Sequence, residues 1–350
     1  MSKAAELAAL IGSQTALSNR NLIINGAMQV SQRGTSKTAT SAATYLLDRF
    51  EAYSGDYANY GYTVSQETDS PTGHSNSLKY NFDDADTSPS AEHSIYYHFE
   101  GQDLQHLEKG TSSAKSVTAS FWVKSSLSGT YILELMDVDN SNRHINKAYT
   151  INTANTWEHK TITFAGDTTG TLDNDVNKSL SLTFWLAAAS GNTSGTLQTS
   201  WGPLTQANRA VGQTNLGATA DNAFLITGIQ LEVGEQATPF EHEDYTTTLT
   251  KCRRYFIRYY GDESDGYPRW FNPAHANDSY MGGNFSFPVQ MRATPTVTGS
   301  VTYQNADGLG TGDVTREGMN LYVLSTSVTV IAGAYITNNS SDHITVDAEL

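Results

Sequence analysis

The sequence predicts a mainly β protein: a jelly-roll β-sandwich, then a smaller β-sandwich domain, with a short N-terminal helix. Three observations predict it. From Asn21 to Val233 short runs alternate apolar and polar residues between turn signals, with no helical period between them. The chain carries 19 Tyr, 12 Phe and 5 Trp against only 16% charged residues, a balance suited to pleated, half-buried faces and not to disorder. After Pro239 the period turns helical once, and strand patterns then resume to the C-terminus.

The helix is residues 3–11, KAAELAALI, where Ala4, Leu7 and Ile11 share a face that Leu10 widens, and Gly12 and Ser13 end it. Nine residues do not hold a helix alone in water. Residues 1–20 therefore read either as a trimerisation and docking segment that meets a partner chain, or as a frayed terminus.

In VTASFWVK the inward set is Val117, Ala119, Phe121 and Val123; in SLTFWLA it is Leu182, Phe184 and Leu186. HKTITFAGDTTG ends a third strand in a Gly-Asp turn. TGIQLEV is a fourth, with Ile229, Leu231 and Val233 on its apolar side. Trp122 and Trp185 fall out of phase with the aliphatic residues, on the hydroxyl-rich side. There they serve as a ligand platform, or are covered by another subunit or by a loop of their own domain. Tyr245, Leu249, Cys252 and Phe256 recur at the helical period, placing a short helix over TTTLTKCRRYF. The domain reading is thus 1–20, 21–245 for the jelly roll, and 246–350 for a C-terminal β tip.

The net charge of −15, from 36 acidic against 21 basic residues, has the wrong sign for a nucleic-acid backbone or an anionic membrane surface. No stretch approaches the ~20 apolar residues of a membrane span, so neither nucleic acid nor membrane insertion is expected. The single Cys252 excludes an internal disulfide and reads as core.

Glu241, His242, Glu243 and Asp244 stand side by side just before the predicted helix. Adjacent residues rarely converge on one metal ion, whereas Asp244 is placed to cap free backbone N–H groups, with Glu241 and Glu243 near the same positive helix end. DVDNSNRH imitates a calcium loop at Asp137, Asp139 and Ser141. Its sixth position is Asn142 instead of Gly and its twelfth Ala148 instead of Glu, so it reads as a polar turn. GLGTGD, from Gly308, lacks the Lys and the helix of a phosphate loop and reads as a hairpin tip. No H-E-x-x-H occurs, His93 and His98 are five apart in a strand-like run, and no G-x-S-x-G frames a nucleophile. The expectation is a binding protein, not an enzyme.

Three stretches together resemble bacteriophage tail-fibre and receptor-binding proteins: NLIINGAMQVSQRGTS with YLLDRFEAY, ASFWVKSS with TWEHKTITFAGDTTG, and FLITGIQLEVGEQATPFEHEDYTTTLTKCRRYF. The closing FPVQMRATPTVTG and ITVDAEL look like the ends of the same proteins. The resemblance implies a carbohydrate-binding-module-like jelly roll and a homotrimer on the virion. It implies other virion proteins as partners through the N-terminal segment, and a host surface glycan as ligand. It further implies no catalytic ion and at most one structural calcium, near Glu232 with Asn25 or Asp48; where such modules carry an acidic residue after the first strand, this chain has Gln29. Lack of disulfides fits assembly in a reducing host cytoplasm before exposure on the particle. The same module also serves head-decorating or purely architectural fibres. A glycan-degrading tailspike would need two carboxylates ~5–10 Å apart.

Two surfaces compete for the sugar. One is the sandwich face bearing Trp122 and Trp185. The other is the tip segment GYPRWFNPAHANDSY, whose composition reads as a loop on a β scaffold. There Trp270 would stack on a sugar ring beside Tyr267, Phe271 and Tyr280, with Arg269, Asn272 and Asp278 as polar contacts.

Overall fold

The computed structural model describes residues 19–139, 142–260, 274–277, 280–300, 302–304, 308–324, 335–337 and 343–350. They belong to two compact units, a larger one that runs to Thr248 and includes Leu350, and a smaller one, Leu249–Glu349. The helix expected at residues 3–11 lies outside the described residues.

The larger unit is built from thirteen strands: β1 Ser36–Thr38, β2 Ala43–Tyr45, β3 Phe50–Ser54, β4 Tyr62–Glu67, β5 Ser77–Phe82, β6 His93–Glu100, β7 Val117–Ser125, β8 Gly129–Asp137, β9 Arg143–Ile151, β10 Glu158–Phe164, β11 Lys178–Ala187, β12 Gly202–Pro203 and β13 Ala223–Val233. They form a six-stranded sheet, β1-β4-β5-β13-β7-β10, and a seven-stranded sheet, β12-β9-β8-β11-β6-β3-β2. β13 lies between β5 and β7, and β11 between β6 and β8, so the chain crosses between sheets in the jelly-roll manner.

Period-two alternation builds the core. Ala119, Phe121 and Val123 from one sheet meet Leu182, Phe184 and Leu186 from the other, and all six are fully buried. The Phe121 and Phe184 rings meet edge to face at 5.1 Å. In β13 the alternation slips by one residue. Phe224 and Ile226 are buried first, then Ile229 and Leu231, because the register shifts between Thr227 and Gln230. Gly228 makes the slip, at φ +61. A Cβ there would sit 2.6 Å from His74 Cε1 and 3.3 Å from Trp122 Cδ1, so dihedral and space both require glycine.

The core also holds polar groups. Tyr62 stacks on Tyr80 at 4.6 Å and donates to the Ala52 carbonyl at 3.0 Å, while Tyr80 Oη lies 3.1 Å from His93 Nδ1. His93 is fully buried, and burial pushes its imidazole down to about 4.

The acidic cluster does capping work. Asp244 Oδ1 accepts the Thr247 N–H at 3.0 Å and Oδ2 the Thr247 hydroxyl at 2.6 Å, at the start of the helix Tyr245–Arg253. Glu243 accepts from Thr248 Oγ1, and Glu241 takes the backbone N–H groups of Asn19 and Asn21 at 2.7 and 2.9 Å. Cys252 is buried as expected. Tyr245, which the period placed on the apolar face, is 54% exposed, because it occupies the first helical position beyond the packed stretch.

In the turn after β8, Asp137 Oδ1 accepts from the Asp139 N–H, and Oδ2 is paired with Lys109. An ammonium sits where a calcium-loop reading would put the ion. In the smaller unit, Phe256–Tyr260, His343–Asp347 and Thr296–Ser300 form one sheet, and Ala274–Asn277, Tyr280–Ser286, Gly318–Leu324 and Gly308–Gly312 another. Ile257, Met291, Leu321, Ile344 and Val346 form its core. GLGTGD is a paired hairpin arm, with Gly310 beneath the Tyr322 ring.

The buried His93 predicts an acid sensitivity with a definite sign. As pH falls from about 6.5 towards 4, the unfolded chain takes up a proton that the folded chain refuses. This share of stability is therefore present above about pH 6.5 and is lost on acidification, by up to ~1.4 kcal/mol per pH unit. Denaturant titrations at pH 7 and pH 5 should show His93→Gln losing less stability over that interval than the parent. Equal losses would place the titrating group elsewhere.

Candidate ligand-binding cleft

The alternation that points Ile95, Tyr97 and Phe99 into the core turns Tyr96 and His98 to the outer face of the seven-stranded sheet. By the same rule that face receives Glu51 and Tyr53 from β3, Ser181 and Thr183 from β11, and Met136 from β8. A cleft of about 370 Å³ opens over these residues, walled by Asn142 and Lys178 and by Leu204, Gln206 and Arg209 of the segment joining β11 to β13. Its size falls in the ordinary range for a small-ligand site.

The wall is anchored by charge. Glu134, fully buried on β8, accepts from Arg209 Nε at 3.0 Å and Nη2 at 2.8 Å, with His144 Nδ1 at 3.0 Å and the Trp185 indole N–H at 3.1 Å. The Arg209 guanidinium also lies 4.7 Å over the Trp185 ring. Burial pushes the Glu134 carboxyl up, but Arg209 and His144 outweigh it and hold the group below the usual carboxylate range. Arg209 reaches on to Glu92, which also accepts from Ser94 and Tyr96. Burial raises the Glu92 carboxyl despite these partners.

The cleft floor is aromatic and polar together. Tyr53 and Tyr96 meet edge to face at 5.9 Å, and Tyr96 stacks on His98 at 5.4 Å. Thr183 Oγ1 is buried and has no hydrogen-bond partner. Sequence reasoning does not single out these residues. The available signal was in HSIYYHFE and FEAYS, where aromatic and ionisable residues alternate with the core set.

The structure separates the two sandwich tryptophans. Trp122 is on β7, in the six-stranded sheet, half-buried and 5.1 Å from His159, whereas Trp185 is on β11, in the seven-stranded sheet. They share no face. Trp185 is 0% exposed, packed with Ile132 and Ala210 under the covering segment, so it offers no ring to a ligand. Of the tip residues, Tyr267, Arg269, Trp270, Phe271, Asn272 and Asp278 lie outside the described residues, and the backbone of Tyr280 starts the strand Tyr280–Ser286.

The implied calcium ligands do not form a cation site. Glu232 Oε1 accepts from Gln230 Nε2 at 2.7 Å and Thr238 N at 2.8 Å, and Oε2 from Thr238 Oγ1 at 2.7 Å, with Arg20 Nε at 3.8 Å. Asp48 accepts from both Gln32 nitrogens at 2.8 Å with Arg33 at 3.6 Å. Asn25 is spent on the Val30 backbone and the Asp48 carbonyl. Every one of these carboxylate oxygens faces a donor or a guanidinium, which is the chemistry that repels a metal ion. Adding a chelator should leave the melting temperature unchanged in calorimetry. A fall on chelation, reversed by calcium, would restore the ion.

No protein-family model matches the chain, and no curated protein matches it. Among solved structures it is similar to the enzymatically active domain of tailspike protein 4 of bacteriophage CBA120, at 11% identity and a TM-score of 0.33, covering 61% of this chain and 22% of that one. The chain thus spans about a fifth of the length of that domain. It is also similar to a family 11 carbohydrate-binding module from Clostridium thermocellum in complex with a β-1,3-1,4-mixed-linked tetrasaccharide, at 14% identity and a TM-score of 0.31, covering 58% of this chain and 98% of the module. A third likeness is to the CBM22-1 xylan-binding domain from Paenibacillus barcinonensis, at 13% identity and a TM-score of 0.29, covering 59% and 99%.

Proposed function

We propose that the chain is a phage virion fibre protein that holds a glycan of the host cell surface in the cleft of its larger unit. The cleft itself carries the reading. Sugars present C–H faces that suit aromatic rings and hydroxyl edges that suit amides, hydroxyls and charged groups. Tyr53 and Tyr96 supply rings, and Asn142, Gln206 and Lys178 stand around them as hydrogen-bonding groups. The floor is made of antiparallel strands, so little ordering is needed when a ligand binds.

The virion part of the reading is supported by the resemblance of IQLEVG, ATPFE and CRRYF to phage receptor-binding proteins. The acidic composition and the single cysteine agree with it. Residues 1–20 would join the chain to two further copies and to the particle, and the assembled protein would act on the outside of the virion. The reading takes the sugar away from the tip, one of the two surfaces the sequence offered, to a surface built from strands.

Binding to purified host surface polysaccharide, followed by calorimetry, tests the cleft. Tyr53→Ala should weaken binding about tenfold, some 1.4 kcal/mol, as loss of one aromatic anchor does. If Trp270→Ala abolishes binding while Tyr53→Ala binds as the parent does, the site is at the tip. A solution mass of one chain instead of three would remove the trimer.

A further inference from the structure

We propose that the cleft also hydrolyses O-acyl esters of its glycan, with Ser181 as nucleophile, His98 as general base and Glu51 as the group that positions His98. The proposal rests on the reading of the cleft as a glycan site and adds a reaction to it.

Three adjacent strands bring the groups together. Ser181 on β11 is the direct cross-strand partner of His98 on β6. Glu51 on β3 pairs with Tyr96, which makes it the diagonal neighbour of His98. His98 Nδ1 lies 2.8 Å from Ser181 Oγ, and His98 Nε2 lies 3.0 Å from Glu51 Oε2. All three residues line the cleft. This is the relation a nucleophilic serine requires: a base within hydrogen-bond reach, and a carboxylate on the other nitrogen that fixes tautomer and ring.

Neighbouring side chains hold the arrangement. Tyr45 Oη donates to Glu51 Oε2 at 3.0 Å, Arg49 donates to the His98 carbonyl at 2.6 Å, and the Tyr96 ring stacks on the imidazole. Charged and titratable groups facing His98 are Glu51 from β3, Arg49 just before that strand, Tyr96 from its own strand and Lys178 from β11. Burial holds the imidazole below its ordinary range, so it is the neutral base at neutral pH. With the ring proton on Nε2 directed at Glu51, Nδ1 accepts the Ser181 proton. Thr183, the next outward residue of β11, has a buried hydroxyl with no hydrogen-bond partner.

The chemistry balances with water as the second reactant. Ser181 Oγ attacks the ester carbonyl carbon and its proton moves to His98 Nδ1. The bond from carbonyl carbon to sugar oxygen breaks, and the sugar oxygen takes that proton. Water then attacks the acyl-serine, again through Nδ1, releasing the carboxylic acid and restoring Ser181.

Two measurements test this on the full chain. A fluorophosphonate should label the parent protein at Ser181, read by mass spectrometry of the peptide. O-acetylated polysaccharide should release acetate, with kcat/KM falling roughly 10³-fold or more in Ser181→Ala. Glu51→Gln should lower kcat/KM about 100-fold and move the acid limb of the pH profile to lower pH, because the imidazole loses its carboxylate. A purely structural Glu51 would leave that limb in place and overturn its role. Polysaccharide binding with no acetate release and no label on Ser181 overturns the esterase and leaves the binding reading standing. Label on Ser181 and ester turnover without polysaccharide binding upholds the triad and overturns the binding reading.

Discussion

The buried ion pair between Glu134 and Arg209 is the constraint on which the cleft depends. Taking a carboxylate and a guanidinium out of water costs several kcal/mol per ion, and only a full set of charge-assisted hydrogen bonds offsets it. Glu134 has that set: Arg209, His144 and the Trp185 indole all converge on its two oxygens. Because Arg209 belongs to the segment between β11 and β13, the pair ties that segment down onto the outer face of the seven-stranded sheet. It thereby makes a wall where a flat sheet would otherwise face water. Trp185 is sacrificed to this arrangement, buried beneath the guanidinium and not available to a ligand.

Alternation along the strands links that anchor to function. One side of β3, β6, β8 and β11 is spent on the core and the other is left to chemistry. A strand floor fixes spacing between side chains on adjacent strands at a few ångströms, without loops that must order on binding. The Ser181–His98 contact and the Tyr53–Tyr96 edge-to-face pair are both consequences of register.

Several of the carboxylates behind the charge of −15 have local duties among the described residues. Glu232 and Asp48 gather backbone and amide donors, Asp244 caps a helix, and Glu241 clamps the chain's entry at Asn19 and Asn21. Asp167 is held by Arg143 in a bidentate pair at 2.7 and 2.9 Å, with Lys109 at 3.1 Å. Burial raises its carboxyl, and these cations outweigh burial and lower it. Carboxylates that look like metal ligands when read in line are satisfied by donors, local ones at Asp244 and Glu232 and ones from distant segments at Glu241 and Asp137. The same folding explains why the implied calcium ligands hold none of the geometry such an ion would need.

Local physics was legible in the sequence. Period-two runs gave the strands and their inward residues, since burial selects every second side chain, and the position of Asp244 gave the helix cap, since capping acts over three residues. Even the buried Cys252 followed from a helical period. What the sequence left undetermined is what depends on strand order and on distant segments. That Trp122 and Trp185 lie in different sheets follows from β7 and β11 joining different partners. That Trp185 is buried follows from a segment some twenty residues downstream crossing over it. Glu51, His98 and Ser181 are 47 and 83 residues apart along the chain, and no local pattern relates them. Their meeting is decided by the register of three strands, which is set by the packing of the whole sandwich.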